Sequence, residues 1–154
     1  MSGEIRVLVV DDHSVVREGI RTVLSGAPGF LMVAEAATAE QAVTAATTHQ
    51  PDVIVLDISM PGGSGLGVVG TLRQRAPTAR ILILSVHDDT EYVVESVRAG
   101  AHGYLRKDTT PGDLRDAIRA VHEGGAFFSP QVARHLTAAI REQRVPQTGA
   151  ISSS

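Results

Sequence analysis

The sequence predicts an α/β fold of the doubly wound kind, a five-stranded parallel sheet with helices on both faces. Three observations lead there. Strand-like and helix-like segments alternate five times along the 154 residues. The central run Val53-Ile54-Val55-Leu56 is apolar at every position and stands between Pro51-Asp52 and the breaker run Met60-Pro61-Gly62-Gly63. A run that short and that uniformly apolar reads as a strand buried on both faces, as strands of parallel sheets are. Polar or charged residues then sit just where these strands end, and open α/β sheets bind their ligands at such ends.

Each element has its own signature. Ile5 to Val10 is apolar except for Arg6 and reads as the first strand. Asp11-Asp12-His13-Ser14 follows, and then Val16, Ile20, Val23 and Leu24 recur at helical spacing. Leu31 to Ala36 is the second strand. Thr38-x-x-Gln41 is a capping-box pattern opening a helix with Ala42, Ala45 and Ala46 on one face. After the central strand and its glycine-rich loop comes a helix carrying Val68, Leu72 and Ala76. Ile81 to Leu84 makes a fourth strand ending at Ser85. Thr90 can cap the next helix, which carries Val93, Val94 and Val97 and is stopped by Gly100. Gly103-Tyr104-Leu105 is a short fifth strand closed by Arg106-Lys107-Asp108. Thr110-Pro111-Gly112-Asp113 starts a helix with Leu114, Ala117, Ile118 and Val121 on its apolar face, ended by Gly124-Gly125. Ser129-Pro130 opens one more helix, with a stripe at Val132, Leu136 and Ile140. From Val145 on no periodicity remains, and the tail reads as a linker. The expected organisation is a domain over 4–124, an extension helix over 125–143 and a linker over 144–154.

Composition narrows the function classes. An apolar fraction of 43% with 20% charged residues is that of a globular protein. No stretch approaches 18 consecutive apolar residues and no secretory signal opens the chain, so a cytoplasmic protein without a membrane span is expected. There is no cysteine, hence neither disulfide framework nor thiolate metal site. Fourteen basic against seventeen acidic residues give a net charge of −3, which offers no electrostatic footprint for nucleic acid.

The strand ends carry the chemistry. Asp11-Asp12 ends the first strand, Asp57 the third and Ser85 the fourth, and Lys107 follows the fifth. In a parallel sheet these ends share one rim. Three carboxylates at close quarters repel unless a cation sits among them, and hard oxygen donors suit Mg²⁺. A nucleophilic aspartate beside Mg²⁺, with a lysine and a hydroxyl opposite, is a set of parts for phosphoryl transfer. Singly, each residue has a plainer reading: Asp11, Asp12 or Ser14 as a helix cap, Asp57 as a turn residue, Ser85 and Lys107 as solvated groups. Their coincidence at successive strand ends favours the site.

Val9-Val10-Asp11-Asp12-His13, Val55-Leu56-Asp57-Ile58-Ser59-Met60-Pro61-Gly62, Leu84-Ser85 and Gly103-Tyr104-Leu105-Arg106-Lys107-Asp108 resemble the receiver domain of two-component response regulators. With Gly124-Gly125 and Ser129-Pro130, the pattern is similar to the NarL/FixJ group of transcription regulators. The resemblance spans about residues 4–124. It implies the flavodoxin-like strand order 2-1-3-4-5, with an extra C-terminal helix. It implies that Asp57 accepts a phosphoryl group from a sensor histidine kinase. Asp12 and Asp57 would ligate Mg²⁺ by side chain, Asp11 mostly through water and Ser59 by its backbone carbonyl. Lys107 and the Ser85 hydroxyl would hold phosphoryl oxygens, and Tyr104 would turn inward as Ser85 moves. It also implies homodimerisation on phosphorylation, and DNA binding only through an output domain beyond Ser154.

Three departures from the family pattern stand out, one of them a loop, Gly62-Gly63-Ser64-Gly65, richer in glycine than most. Asp108 replaces the proline that usually follows the lysine, often through a cis bond. Val86 is bulkier than the residue usual beside Ser85. Rival functions fit less well. Gly65-Leu66-Gly67-Val68-Val69-Gly70 spells a dinucleotide-binding fingerprint, but it lies well after the third strand instead of directly behind the first. An aspartyl-phosphate phosphatase would want a second acid two residues after Asp57, where Ser59 stands. The six histidines show no i, i+4 pair on one helix and read as surface or loop residues rather than a metal site.

Overall fold

A computed structural model describes residues 3–58, 65–86, 90–130 and 132–141. Strand β1 (Ile5–Val10) leads to helix α1 (Ser14–Ser25), β2 (Phe30–Ala36) to α2 (Ala39–His49), and β3 (Val53–Leu56) to α3 (Gly65–Arg75). Strand β4 (Arg80–Ser85) is followed by α4 (Thr90–Ala99), and β5 (Gly103–Arg106) by α5 (Pro111–His122). A two-residue strand, β6 (Phe127–Phe128), and a last helix, α6 (132–141), complete the described chain. The sheet is parallel throughout, in the order β2-β1-β3-β4-β5-β6.

The apolar alternation of the strands divides the core in two. Leu8, Val10, Ile54, Leu56, Ile81 and Ile83 face Ala42 and Ala46 of α2, Val69 and Leu72 of α3, and Val93 of α4. Val7, Val9, Val53, Val55, Leu82 and Leu84 face Ile20 and Leu24 of α1 and Leu114, Ala117, Ile118 and Val121 of α5. Every residue of β3 is therefore needed by one layer or the other. At about 1.5–3 kcal/mol for each large side chain fully buried, this strand alone anchors both layers. Because the chain winds to one side through β2 and to the other through β4, β1 and β3 lie adjacent, with Val10 paired to Leu56. That juxtaposition brings the two acidic strand ends together.

Local chemistry sets the helix ends. The Thr38 hydroxyl accepts from the Gln41 N–H at 3.1 Å, the first half of a capping box, while Gln41 Oε1 accepts at 2.8 Å from the Ala37 N–H, one residue before the cap. Thr110 caps α5 in the same way, accepting from the Asp113 N–H, with Pro111 in the first turn. Neither Asp11, Asp12 nor Ser14 caps α1. His13 holds that position and makes no side-chain capping bond. The fingerprint glycines Gly67 and Gly70 lie inside α3, away from any strand end, which removes the nucleotide-binding reading.

To the five expected strands the structure adds a sixth, ahead of the last helix. Phe127 and Phe128 pair in parallel with Gly103 and Tyr104 and add a sixth strand at the β5 edge. Two residues are too few to show a period, so only the folded edge of β5 reveals them. Gly103 makes the pairing possible. A Cβ there would come within 2.7 Å of both the Phe127 carbonyl oxygen and Leu82 Cδ1. Gly103→Val is therefore expected to cost about 1–3 kcal/mol through overpacking against a backbone atom that cannot rotate away. Urea unfolding checks this, and a loss under about 0.5 kcal/mol, the range of an ordinary surface change, would mean the edge simply gives way.

In α6 the buried positions are Val132 and Ala139, with Leu136 partly buried, while Ile140 is 55% exposed. The expected stripe was out of phase at its end. Seven residues bring a helix back to within about 20° of the same face, whereas eight overshoot. A similar rotation in α4 buries Ser96 and leaves Val97 partly exposed. The Ser96 hydroxyl is satisfied by donating to the Tyr92 carbonyl at 2.8 Å.

Candidate functional site

Three strand ends build the site. The carboxylates of Asp11, beyond β1, and Asp57, beyond β3, are 2% and 1% exposed. The Asp57 N–H donates to the Val10 carbonyl at 2.9 Å, so the parallel ladder itself holds the two acids side by side. Lys107, one residue beyond β5, is fixed by its N–H donating to the Ser85 carbonyl at 2.9 Å. Its Nζ reaches Asp11 Oδ2 at 2.8 Å and Asp57 Oδ2 at 3.1 Å. Burial disfavours the ammonium, but hydrogen bonds with Asp11 and the charge of Asp57 outweigh it, and the Lys107 pKa lies above the usual 10.5. The lysine is thus a fixed cation bridging two buried carboxylates.

Asp12 stands beside them. Its Oδ1 is buried and has no hydrogen-bond donor, although His13 Nδ1 lies 3.0 Å away, outside bonding geometry. A buried oxygen without a donor is costly unless a water or a cation serves it. Ligand atoms of Asp11, Asp12, His13 and Asp57 all lie within 4.8 Å of one another. Three carboxylates against one ammonium leave two negative charges, which one divalent ion would neutralise. Oxygen donors in this number fit Mg²⁺.

The remaining expected residues fall as follows. Ser85, the last residue of β4, and Tyr104 in β5 are both buried. Tyr104 lies in the same apolar cluster as Val93 and Val132. Ser59 lies outside the described residues. Val86 turns its side chain to solvent and is 60% exposed. No peptide bond among the described residues is cis, so Lys107 meets Asp108 through a trans bond. His13, which sequence reasoning took as a surface or loop residue, stands against both acids, its Nδ1 3.1 Å from Asp11 Oδ1 and 3.0 Å from Asp12 Oδ1.

A response regulator receiver domain matches residues 7–119. The transcriptional regulatory protein DegU of Brevibacillus brevis is 38% identical over 92% of this chain and 58% of its own length. The nitrate/nitrite response regulator protein NarL of Escherichia coli K12 is 37% identical over 90% of this chain and 64% of its own. The chain therefore spans about three fifths of the length of these curated relatives. A solved structure of a LuxR-family two-component response regulator from Aurantimonas superposes with a TM-score of 0.82 at 37% identity, over 92% of this chain and 99% of that one. Among the described residues, no helix is long and apolar enough to cross a membrane. With the acids, the lysine and the strand order in place, the chain belongs to the response regulator receiver domain family, in its NarL-like, LuxR-type group.

Proposed function

We propose that this chain is a phosphorylation-controlled switch in which Asp57 is the phosphoryl acceptor. The observation that carries the reading is the Lys107 ammonium bridging the buried Asp11 and Asp57 carboxylates beside the donorless oxygen of Asp12. An Asp57 oxygen attacks phosphorus of a phosphohistidine on a sensor kinase and forms a P–O bond. The P–N bond breaks, and its electron pair returns to the imidazole, which takes up a proton. Lys107 holds a phosphoryl oxygen as charge develops. Asp12, Asp57 and the Ser59 carbonyl would hold Mg²⁺, with Asp11 through water. When bound, Mg²⁺ supplies charge neutralisation at the phosphoryl oxygens.

The consequence is a population shift. The phosphate favours one state only through contacts that differ between states, and a Ser85 hydroxyl following the phosphoryl oxygen is such a contact, with Tyr104 filling the space behind it. Residues 4–124 form the switch, 125–143 the extension, and 144–154 the linker to a DNA-binding output domain, so the switch controls transcription without touching DNA itself. Phosphorylation also favours a homodimer. Incubating the chain with a small acyl phosphate and Mg²⁺ tests the central claim by intact mass. One phosphoryl group is expected, with none when the divalent ion is chelated. Chelator-independent uptake would remove the metal from the reading, and no uptake at all would remove the acceptor.

A further inference from the structure

We propose that the end of the sheet opposite the carboxylate rim carries a second site, in which Arg73, Arg80 and the Nε2–H of His102 bind a phosphate-type dianion. The site is independent of the phosphoryl-acceptor reading, and no residue of the rim takes part in it. Three elements bring the donors together. Arg73 lies in the last turn of α3, Arg80 opens β4, and His102 stands one residue before β5. The Ile81 N–H, next to Arg80 in the chain, donates to His102 Nδ1 at 3.0 Å, and the His102 N–H donates to the Ile81 carbonyl at 2.8 Å. These two bonds hold the imidazole beside the start of β4. A Cβ at Gly100, two residues before His102, would collide with the Arg73 guanidinium, so that group lies directly against the Gly100 backbone.

The donors are unused. The described ion pairs join Arg17 and Arg21 to Glu35 and Arg119 to Asp116, and among the described residues the guanidiniums of Arg73 and Arg80 meet no acceptor. Asp52, whose carbonyl accepts from the Arg80 N–H at 2.9 Å, gives its carboxylate to the Arg6 N–H instead, also at 2.9 Å. Because His102 Nδ1 accepts from a backbone N–H, the proton of the neutral ring sits on Nε2 and is left to donate. Burial, and then the charges of Arg80 and Arg73, hold the imidazole below its usual 6.5, so both arginine charges reach the ring. The carboxyl end of α3 favours a cation and accounts for Arg73 alone. It does not account for Arg80 and His102 arriving at the same place.

Two guanidinium charges beside a neutral N–H match a dianion. Guanidinium pairs with phosphate oxygens in two parallel hydrogen bonds, and a carboxylate offers that geometry with only half the charge. A phosphate group with a free terminal position carries close to two charges at neutral pH. The ligand is therefore inorganic phosphate or the terminal phosphate of a small ester, and its binding would tie α3, β4 and β5 together at the end away from Asp57.

Inorganic phosphate is the probe, titrated into the isotope-labelled chain at fixed, slightly alkaline pH without divalent ions, the ionic strength being held with chloride. Saturable NMR shifts of the His102 ring and the Gly100 amide are expected. Arg73→Gln and Arg80→Gln should each weaken binding about tenfold, the usual worth of a hydrogen bond to a charged group. The double variant should not bind. Neither substitution removes a hydrogen bond within the chain, so thermal melts in chloride should match the wild type. Phosphate should raise the melting temperature of the wild type more than that of the double variant, which separates binding from the general effect of phosphate on folded proteins. Glycerol phosphate should shift the same signals, because Arg73 is exposed and leaves room for an ester. Shifts from inorganic phosphate alone would name the free ion as the ligand and still support the site. Dimethyl phosphate, with one charge, should bind more weakly, and equal binding would overturn the match to a dianion. Shifts that do not saturate, that persist in the double variant or that stay confined to the carboxylate rim overturn the site altogether.

Discussion

Asp57→Asn is expected to take up no phosphoryl group at all under conditions in which the wild type is fully loaded. The substitution keeps the size and shape of the side chain but removes the charged nucleophilic oxygen. No other acid on the rim can replace it. Asp11 is engaged by Lys107 at 2.8 Å and by the His13 N–H at 2.8 Å, and Asp12 belongs to the group of side chains that could hold a metal ion. The fold should survive, because Lys107 keeps its closer partner Asp11 and the amide oxygen can still accept from it. Loss of uptake must therefore appear in a protein with normal thermal unfolding. Intact mass after treatment with a small acyl phosphate and Mg²⁺ reads the first, and a thermal melt reads the second. Equal loading of the variant would move the acceptor to another residue. A variant that failed to load only because it was unfolded would be recognised by its melt.

How much of this was legible beforehand depends on the length scale of each signal. The central strand was, because four consecutive apolar residues between breakers have few other uses, and all four are buried. The rim was legible too, because a parallel sheet carries every strand end to one side, and Asp11, Asp57, Ser85 and Lys107 each sit at such an end. Asp57 and Lys107 are fifty residues apart in sequence yet meet at 3.1 Å, which is a consequence of strand order and not of any local pattern. The parts that escaped were of another kind. Strand β6 exists only because Gly103 leaves room for the Phe127 carbonyl, a pairing across 24 residues that two phenylalanines cannot announce. The phase of α6 was misjudged at Ile140 because small Ala139 carries little hydrophobic signal, although it is the residue that packs. The contacts of His13 with both acids were not legible, because a single histidine has no spacing to read and only the end of β1 sets it there.

Lys107→Met is expected to destabilise the chain by about 3–5 kcal/mol in the absence of divalent ions, the usual result of removing one partner from a buried charged group. The variant leaves Asp11 and Asp57 facing each other in the interior with no ammonium between them. Methionine fills much the same volume along the stem, so lost packing contributes little and the charge accounts for the cost. Mg²⁺ should recover a large part of it. A ligand that binds only the folded state stabilises it by mass action, and three carboxylates without a competing lysine should hold the ion more tightly than the wild type does. The gain on adding Mg²⁺ should therefore be greater in the variant than in the wild type. The pH dependence has a defined sign. Because the Lys107 pKa is raised above 10.5 in the folded chain, its contribution is fully present below that value and is lost only as pH climbs through the higher folded one. The gap between wild type and variant should therefore persist unchanged from pH 7 to pH 9. Urea unfolding with and without Mg²⁺ at both pH values measures all of this. A variant as stable as the wild type without the ion would show that water already neutralises the two acids, and that Lys107 is not what makes their burial tolerable.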